Sequence, residues 1–511
     1  MPFQPAGFID LFLAQAAASP DRIFARFEGE PVTFGDLGRM SAAFAGALAA
    51  RGLGPGTRVA VMMANSPQTL GVLFGIARAG AIWIPVNARQ RGEGLRYILE
   101  HSEPQVIVVD EDLLPVVEAS GAKVDAWILR AGGEGSLAAV LSGPAGAAGP
   151  AKAPDPAIDP ATPFAIMYTS GTTGRPKGVL VTHLMLRLAG ESVAQLSLAG
   201  PDDVFFVWEP LYHIGGAQTL VLPLIRGARL AMVGRFSASR FWDQVRAEGA
   251  TRIHYLGGIL QLLLKQPPRP DDRSHPVSIA WGGGCPAEIW RPFEERFGVQ
   301  VRECYGMTEA SSLTTCNETG IVGSVGRPLP WFTVDLLDES GAPVPQGEKG
   351  EIVVRTRLPG AIFPGYFRNP EATAAALRDG ALHTGDSGSF DAEGNLFFHG
   401  RLSDSVRCRG ENVSAWEVEH VAASHPAVED CAIIGVPAEI GEQDIKLFVK
   451  PKPGAAIDPA SFLAWLAERL APYQTPRYLA LVAEFERTPS ERIMKHKLPR
   501  DTAGAFDRER R

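Results

Sequence analysis

Cysteine is scarce in this chain: there are five in 511 residues (Cys285, Cys304, Cys316, Cys408 and Cys431), and no two form a C-x-x-C pair. An odd, dispersed set excludes a disulfide framework and a structural zinc site. No apolar run is long enough to span a bilayer. The apolar N-terminal stretch is interrupted by Asp10 and has no basic leader, so a signal peptide is not expected. Positive charge is neither abundant nor clustered. The 49 Lys and Arg are outnumbered by 57 Asp and Glu, for a net charge of −8, which excludes a nucleic-acid surface. Internal repeats are absent. A reducing cytoplasm is the expected compartment.

The remainder is ordinary globular material, with 45% hydrophobic and 21% charged residues. A chain of this length exceeds one ordinary core, so at least two domains are expected. The first part alternates periods: an amphipathic helix over 33–51, a buried strand over 58–63, a helix over 67–78 and a strand over 81–84 stopped by Pro85. Such alternation predicts α/β layering with largely parallel sheets. Residues 131–163 shift to Ala, Gly and Pro and read as a surface connection without a core of their own. A strand over 164–168 follows. After a strand-like 396–398, the polar turn Gly400-Arg401-Leu402-Ser403-Asp404 precedes a restart in patterning, with a helix over 416–425, strands over 428–436 and 445–450, and a helix over 459–470. The boundary is expected at Leu402–Asp404. The expected fold is thus a large N-terminal α/β domain of layered sheets and helices (1–402) and a small α+β C-terminal domain (403–511).

The densest chemical signal is Tyr168-Thr169-Ser170-Gly171-Thr172-Thr173-Gly174-Arg175-Pro176-Lys177-Gly178. Small residues let backbone approach a polyphosphate, hydroxyl and N–H groups donate to its oxygens, and Lys177 supplies charge. The Walker spacing is absent, and a flexible turn is the plain alternative. In Tyr305-Gly306-Met307-Thr308-Glu309 the tyrosine can stack on a purine, the threonine can donate to a phosphate, and the carboxylate suits Mg²⁺. Asp386, closing His383-Thr384-Gly385-Asp386, can accept from both ribose hydroxyls. His213 in Tyr212-His213-Ile214-Gly215-Gly216 reads either as a core histidine or as a pocket wall. Trp208 and Trp281 read as packing or pocket lining.

Taken in order, these segments resemble the adenylate-forming superfamily of acyl-CoA synthetases, adenylation domains and firefly-type luciferases. Ala79–Val86, Pro210–Gly216, Trp281–Gly284, Gly365–Glu371, Arg409–Val413, Leu470–Tyr473 and Thr488–Ile493 complete the set, so the resemblance covers nearly the whole chain. The run Arg409–Glu419 is most similar to the crotonobetaine/carnitine-CoA ligase-like branch. The resemblance implies an AMP-forming carboxylic acid–CoA ligase that uses ATP, Mg²⁺ and coenzyme A. It implies nucleotide contacts from Thr169 to Gly174, Lys177, Gly283, Gly284, Cys304 to Thr308, Asp386 and Arg401. Thr172 and Glu309 would hold the metal, and Tyr212, His213, Trp281, Gly282, Gly306 and Met307 would form the acyl pocket. Arg409 and Gly410 would meet coenzyme A, and Asp404 would be the hinge on which the small domain rotates. Gly306 stands where acetate-specific relatives carry Trp, so an open floor and acids longer than acetate are expected.

One segment departs from the family. Where relatives carry Gly-Lys before an aliphatic residue, this chain has Glu491-Arg492-Ile493. Register on Ile493 and Leu498 puts Arg492 at the bridging cation, with Lys495 as the second candidate. Guanidinium is not ammonium, yet either can hold charge against a carboxylate and a phosphate. The alternatives are an amino-acid or aryl-acid adenylation enzyme loading a carrier protein, a luciferase-like monooxygenase, and a non-catalytic nucleotide-binding relative. Amino-acid activation usually needs an Asp near His213, and from Val204 to Trp242 the only acid is Glu209; no carrier domain is expected after Arg511. A small-molecule carboxylic acid is the expected partner, with a homodimer as the assembly considered.

Overall fold

The computed structural model describes residues 7–131, 136–142, 158–169, 175–256, 258–285, 287–338, 340–401, 406–413, 415–438, 442–486, 493 and 495–510. Asp404, Arg492 and Ser170 to Gly174 lie outside the described residues, and for Arg401 only the backbone is described.

Local sequence explains the first elements. Thr33 caps the helix Phe34–Ala49: its Oγ1 accepts from Asp36 N–H at 3.0 Å while Asp36 Oδ2 accepts from Thr33 N–H at 2.9 Å, a reciprocal capping box. Ser66 caps Pro67–Arg78, whose proline sits where a missing N–H is harmless. The strand Ile82–Pro85 includes the proline expected to stop it. The ladder to Arg58–Met62 there uses the N–H of Val86, which donates to Val61 O at 3.0 Å, so Pro85 forfeits no bond on that side.

One sheet orders as Trp127–Arg130, Val106–Val109, Arg58–Met62, Ile82–Pro85, Pro163–Thr169 and Lys177–Thr182, parallel except for the last pair. A second sheet has a parallel centre running from Gln300–Tyr305 through Ile279–Gly283, Arg252–Leu256, Val204–Val207 and Arg229–Met232 to Ile23–Phe27, with antiparallel edges. The layered α/β expectation holds. A third sheet, built on Phe332–Leu337, Gly350–Thr356, Ala381–Phe390 and Leu396–Arg401, is antiparallel and was not foreseen.

The Ala/Gly/Pro stretch also differs from expectation. Within it Leu137–Ser142 forms a helix whose Leu137 and Leu141 enter the main core beside Phe34–Ala49. One turn with leucines four apart suffices to anchor the connection.

The small domain carries Val428–Pro437, Gln443–Pro451, Tyr478–Leu481 and Phe506–Asp507 in one sheet. Alternation splits the first strand: Cys431 and Ile433 face a core shared with helices Ala415–Ala423 and Pro459–Ala467, while Ala432, Ile434 and Val436 face another with Phe448 and Phe485. Ile493 and Leu498 pack on that second core. Lys446, almost fully buried, donates to the carbonyls of Pro499 (3.2 Å) and Asp501 (2.6 Å), tying the C-terminal segment to the sheet. Among the described residues no helix is long and apolar enough to cross a membrane.

Candidate active site

The glycine- and hydroxyl-rich segment connects two antiparallel strands, with Tyr168 opposite Gly178 and Thr169 opposite Lys177. Thr169 and Lys177 therefore belong to strands at the mouth of a hairpin. Lys177 Nζ lies 5.1 Å from the ring centroid of Tyr366, whose hydroxyl donates to Glu309 Oε1 at 2.9 Å. Lys177, Tyr366 and Glu309 thus face one cavity of about 600 Å³, together with Thr169, Gly283 and Cys304. Gly306, Met307 and Thr308 line it as well.

Tyr305 and Asp386 stand behind that wall and are tied to each other. The Tyr305 hydroxyl donates to Asp386 Oδ2 at 2.7 Å, and one ring face stacks on Phe398 at 5.6 Å. The Asp386 carboxylate is only 3% exposed; Thr384 and Gly385 beside it line the cavity instead. Behind the glycine turn, Glu303 accepts from Tyr255 O–H (2.7 Å), Cys285 N–H (3.1 Å) and Gly284 N–H, fixing the backbone of the predicted adenine segment. Burial pushes this carboxyl up to about 7, against those three donors. An acid whose pKa is raised on folding loses stability as pH rises from its unfolded pKa to its folded one. Glu303→Gln should therefore abolish a pH-dependent loss of about 2 kcal/mol between pH 5 and 7. Denaturant midpoints at those two pH values check this; equal slopes in both proteins would refute it.

Gly306 lines the cavity, but a Cβ there would lie 1.8 Å from the Ser312 carbonyl oxygen and 2.7 Å from Leu313 Cα, so a larger residue at this position would strike backbone. Gly282 is in the same position, with a Cβ falling 1.8 Å from Tyr255 O. Gly306→Ala should lower the melting temperature and reduce turnover of all acids together, by overpacking. A change in chain-length preference at unchanged stability would contradict that.

The acyl side is more polar than the sequence suggested. His213, Tyr212 and Trp281 line the cavity, and so do Glu209, His254 and Gln218. His254 Nδ1 is 2.9 Å from Glu209 Oε2, and its ring lies 4.2 Å from that of Trp281. Burial would raise the Glu209 pKa, but His254, then His213 and Arg407, outweigh it and hold the carboxylate below its ordinary range. Glu209 is the sole acid from Val204 to Trp242, and it is not the Asp that amino-acid activation usually needs.

The small domain reaches this cavity through a hairpin. Val406–Cys408 and Glu411–Val413 pair antiparallel around Arg409-Gly410, both with positive φ (52° and 80°), the pattern of a two-residue I′ turn. The turn delivers Glu411 between Arg89 Nη2 (2.6 Å) and His213 Nε2 (3.0 Å). The carboxylate is 6% exposed; burial opposes its charge, but His213 and Arg89 prevail and lower its pKa. Burial likewise opposes charge on His213, yet Glu411 and Glu209 raise its pKa overall. Tyr473 donates to Gln90 Oε1 at 2.9 Å as a second tie between the domains. Arg409 pairs with Glu509, and both, with Gly410, line a second cavity of about 770 Å³ between the domains. The two cavities share Tyr212, Leu256 and Gly410. Lys495 Nζ lies 2.6 Å from Glu419 Oε1 within the small domain.

Residues 12–367 match the AMP-binding enzyme family, and residues 417–492 match the AMP-binding enzyme C-terminal domain. The chain is 33% identical over 498 residues to a sulfoacetate–CoA ligase of Cupriavidus necator, covering 96% of each. It is 32% identical to a crotonobetaine/carnitine–CoA ligase of Salmonella typhi, covering 88% of this chain and 89% of that one. Among solved structures, o-succinylbenzoate CoA synthetase of Bacillus subtilis shares the fold at a TM-score of 0.83 and 24% identity, covering 96% of this chain and 98% of that one. ATP-bound MatB of Rhodopseudomonas palustris superposes at 0.70 with 29% identity, covering 96% and 97%.

Proposed function

The chain belongs to the AMP-binding enzyme family, and from that premise we propose that it is an AMP-forming ligase joining a small carboxylic acid to coenzyme A. Two cavities meeting at Tyr212, Leu256 and Gly410 support this reading: one suits nucleotide and acid, and the other would bring a thiol to the same point.

A carboxylate is anionic and its oxygen leaves poorly, so a thiol cannot displace it directly. In the first step the carboxylate oxygen attacks the α-phosphate of ATP, forming acyl-AMP and releasing pyrophosphate. Charge spreads onto phosphate oxygens, so cations and positioning supply the catalysis. Lys177 at the hairpin mouth serves the phosphates and Arg492 bridges carboxylate and α-phosphate. Lys495, engaged by Glu419, serves the small domain's own packing in this arrangement. Glu309 would hold Mg²⁺, which takes one or two carboxylates plus phosphates and supplies further charge there when bound. In the second step the coenzyme A sulfur attacks the acyl carbon, AMP departs, and the thiol proton is lost to solvent or base. Arg409 and Gly410 flank the thiol's approach, and rotation at Asp404 exchanges the two steps.

Relatives of nearly equal identity are named for different acids, so identity does not choose the substrate. Pyrophosphate release with a panel of acids, with and without coenzyme A, tests the reading. Acid-dependent release followed by thioester formation is expected. Release without any thioester would favour carrier loading, and none with any acid would favour a nucleotide-binding relative. A cytoplasmic homodimer completes the proposal, with light scattering to check the assembly.

A further inference from the structure

The wall beside His213 contains more polar capacity than adenylation of a plain acid requires. Glu209 is 5% exposed and Gln218 2%, yet both line the cavity. Gln218 Oε1 has no hydrogen-bond partner and is withdrawn from water, on a residue that lines the cavity. Leaving such an atom unsatisfied costs about 1–3 kcal/mol, which a ligand donor would recover.

Glu209 lies on the same wall, packed against a glycine. A Cβ at Gly215 would fall 2.5 Å from Glu209 Oε2 and 2.7 Å from Oε1, so any larger residue would cover or displace the carboxylate. Gly215 itself lines the cavity. His254 Nδ1 lies 2.9 Å from Glu209 Oε2, on one edge of the carboxylate. Trp281, against His254, closes the wall with an aromatic surface.

Resting on the ligase reading, we propose that the acid accepted by this site carries a hydrogen-bond donor on its chain, a hydroxyl or an ammonium, received by Glu209 and Gln218. A chain ending in an anion meets the Glu209 carboxylate and is rejected. A bare alkyl chain leaves buried acceptors unmet, and sites built to pair a donor discriminate strongly against analogues lacking one.

The test uses the full-length enzyme and acids of three to eight carbons. Each length is supplied as the alkanoate, the hydroxy acid, the amino acid and the dicarboxylate, with pyrophosphate release giving kcat/KM. At the best length, the hydroxy or amino acid should exceed the alkanoate by about tenfold or more, with the dicarboxylate poorest. Gln218→Leu and Gly215→Ala should each lower the donor-to-alkanoate ratio by about tenfold. Glu209→Gln should remove a preference for ammonium while retaining one for hydroxyl, which separates the two donors. Each ratio is taken within one preparation, so partial misfolding cancels. An alkanoate or dicarboxylate preferred by the unmodified enzyme, or ratios unmoved in all three variants, overturns the proposal while leaving the ligase reading intact. Absence of pyrophosphate with every acid would instead sink the ligase reading.

Discussion

Arg492→Ala is expected to slow acyl-AMP formation by about a hundredfold or more, because a charge-assisted contact made in the transition state is lost. Thioester formation from supplied acyl-AMP should survive, since the bridging charge has no part in that step. Arg492→Lys should retain appreciable adenylation, because the position needs a cation before it needs a particular geometry. Lys495 is the rival, and its ion pair with Glu419 at 2.6 Å gives it a separate structural duty. Lys495→Ala should accordingly reduce stability more than chemistry. Single-turnover pyrophosphate release decides: adenylation intact in Arg492→Ala and absent in Lys495→Ala would reverse the assignment.

Glu411→Ala should impair the opposite half-reaction. Its carboxylate joins the domains through Arg89 and His213 in a buried setting. Truncating one partner of such an interfacial charge pair costs about 2–5 kcal/mol, partly because the remaining charges are stranded. Transfer to coenzyme A should fall by about thirtyfold or more, with acyl-AMP formation little changed. The linkage has a sign on each side. His213 has a raised pKa, so its contribution to docking is complete below the ordinary histidine pKa and lost as pH rises through the raised one. Glu411 has a lowered pKa, so its contribution is present above the ordinary carboxylate pKa and lost as pH falls through the lowered one. Docking is favoured between those limits. Rates of thioester formation from acyl-AMP across pH should fall on the alkaline side, and Glu411→Gln should flatten that limb. An unaltered limb would remove the ion pair from the step.

The layered core was legible in the sequence because helical and strand periods alternate cleanly over 33–84 and 416–470. The antiparallel third sheet was not, although Phe332-Thr333-Val334-Asp335-Leu336 alternates apolar and polar residues, because a short alternating run does not name its partner, here Gly350–Thr356. At the site, motif spacing gave Lys177, Glu309 and the two glycine turns but not their second layer. Glu303, Glu209 and Glu411 acquire their meaning from residues at least 18 positions away, as in the bonds to Cys285, His254 and His213. A local window cannot see such partners. One clue was present: Arg409-Gly410 between alternating Val406-Arg407-Cys408 and Glu411-Asn412-Val413 is a hairpin signal that places Glu411 on a tip.

The residues on either side of the proposed bridging cation are anchored in the small domain. Upstream, Tyr478–Leu481 lies within the small-domain sheet; downstream, Leu498 packs on its core and Lys446 grips the carbonyls of Pro499 and Asp501. Ile493, the neighbour of Arg492, is packed on the same core. On the proposed assignment the charge would travel with the small domain, and its arrival at the phosphate and the departure of Glu411 from His213 would be opposite ends of a single displacement. A covalent staple between positions 89 and 411 would consequently stop adenylation from a distance, with every adenylating residue left in place.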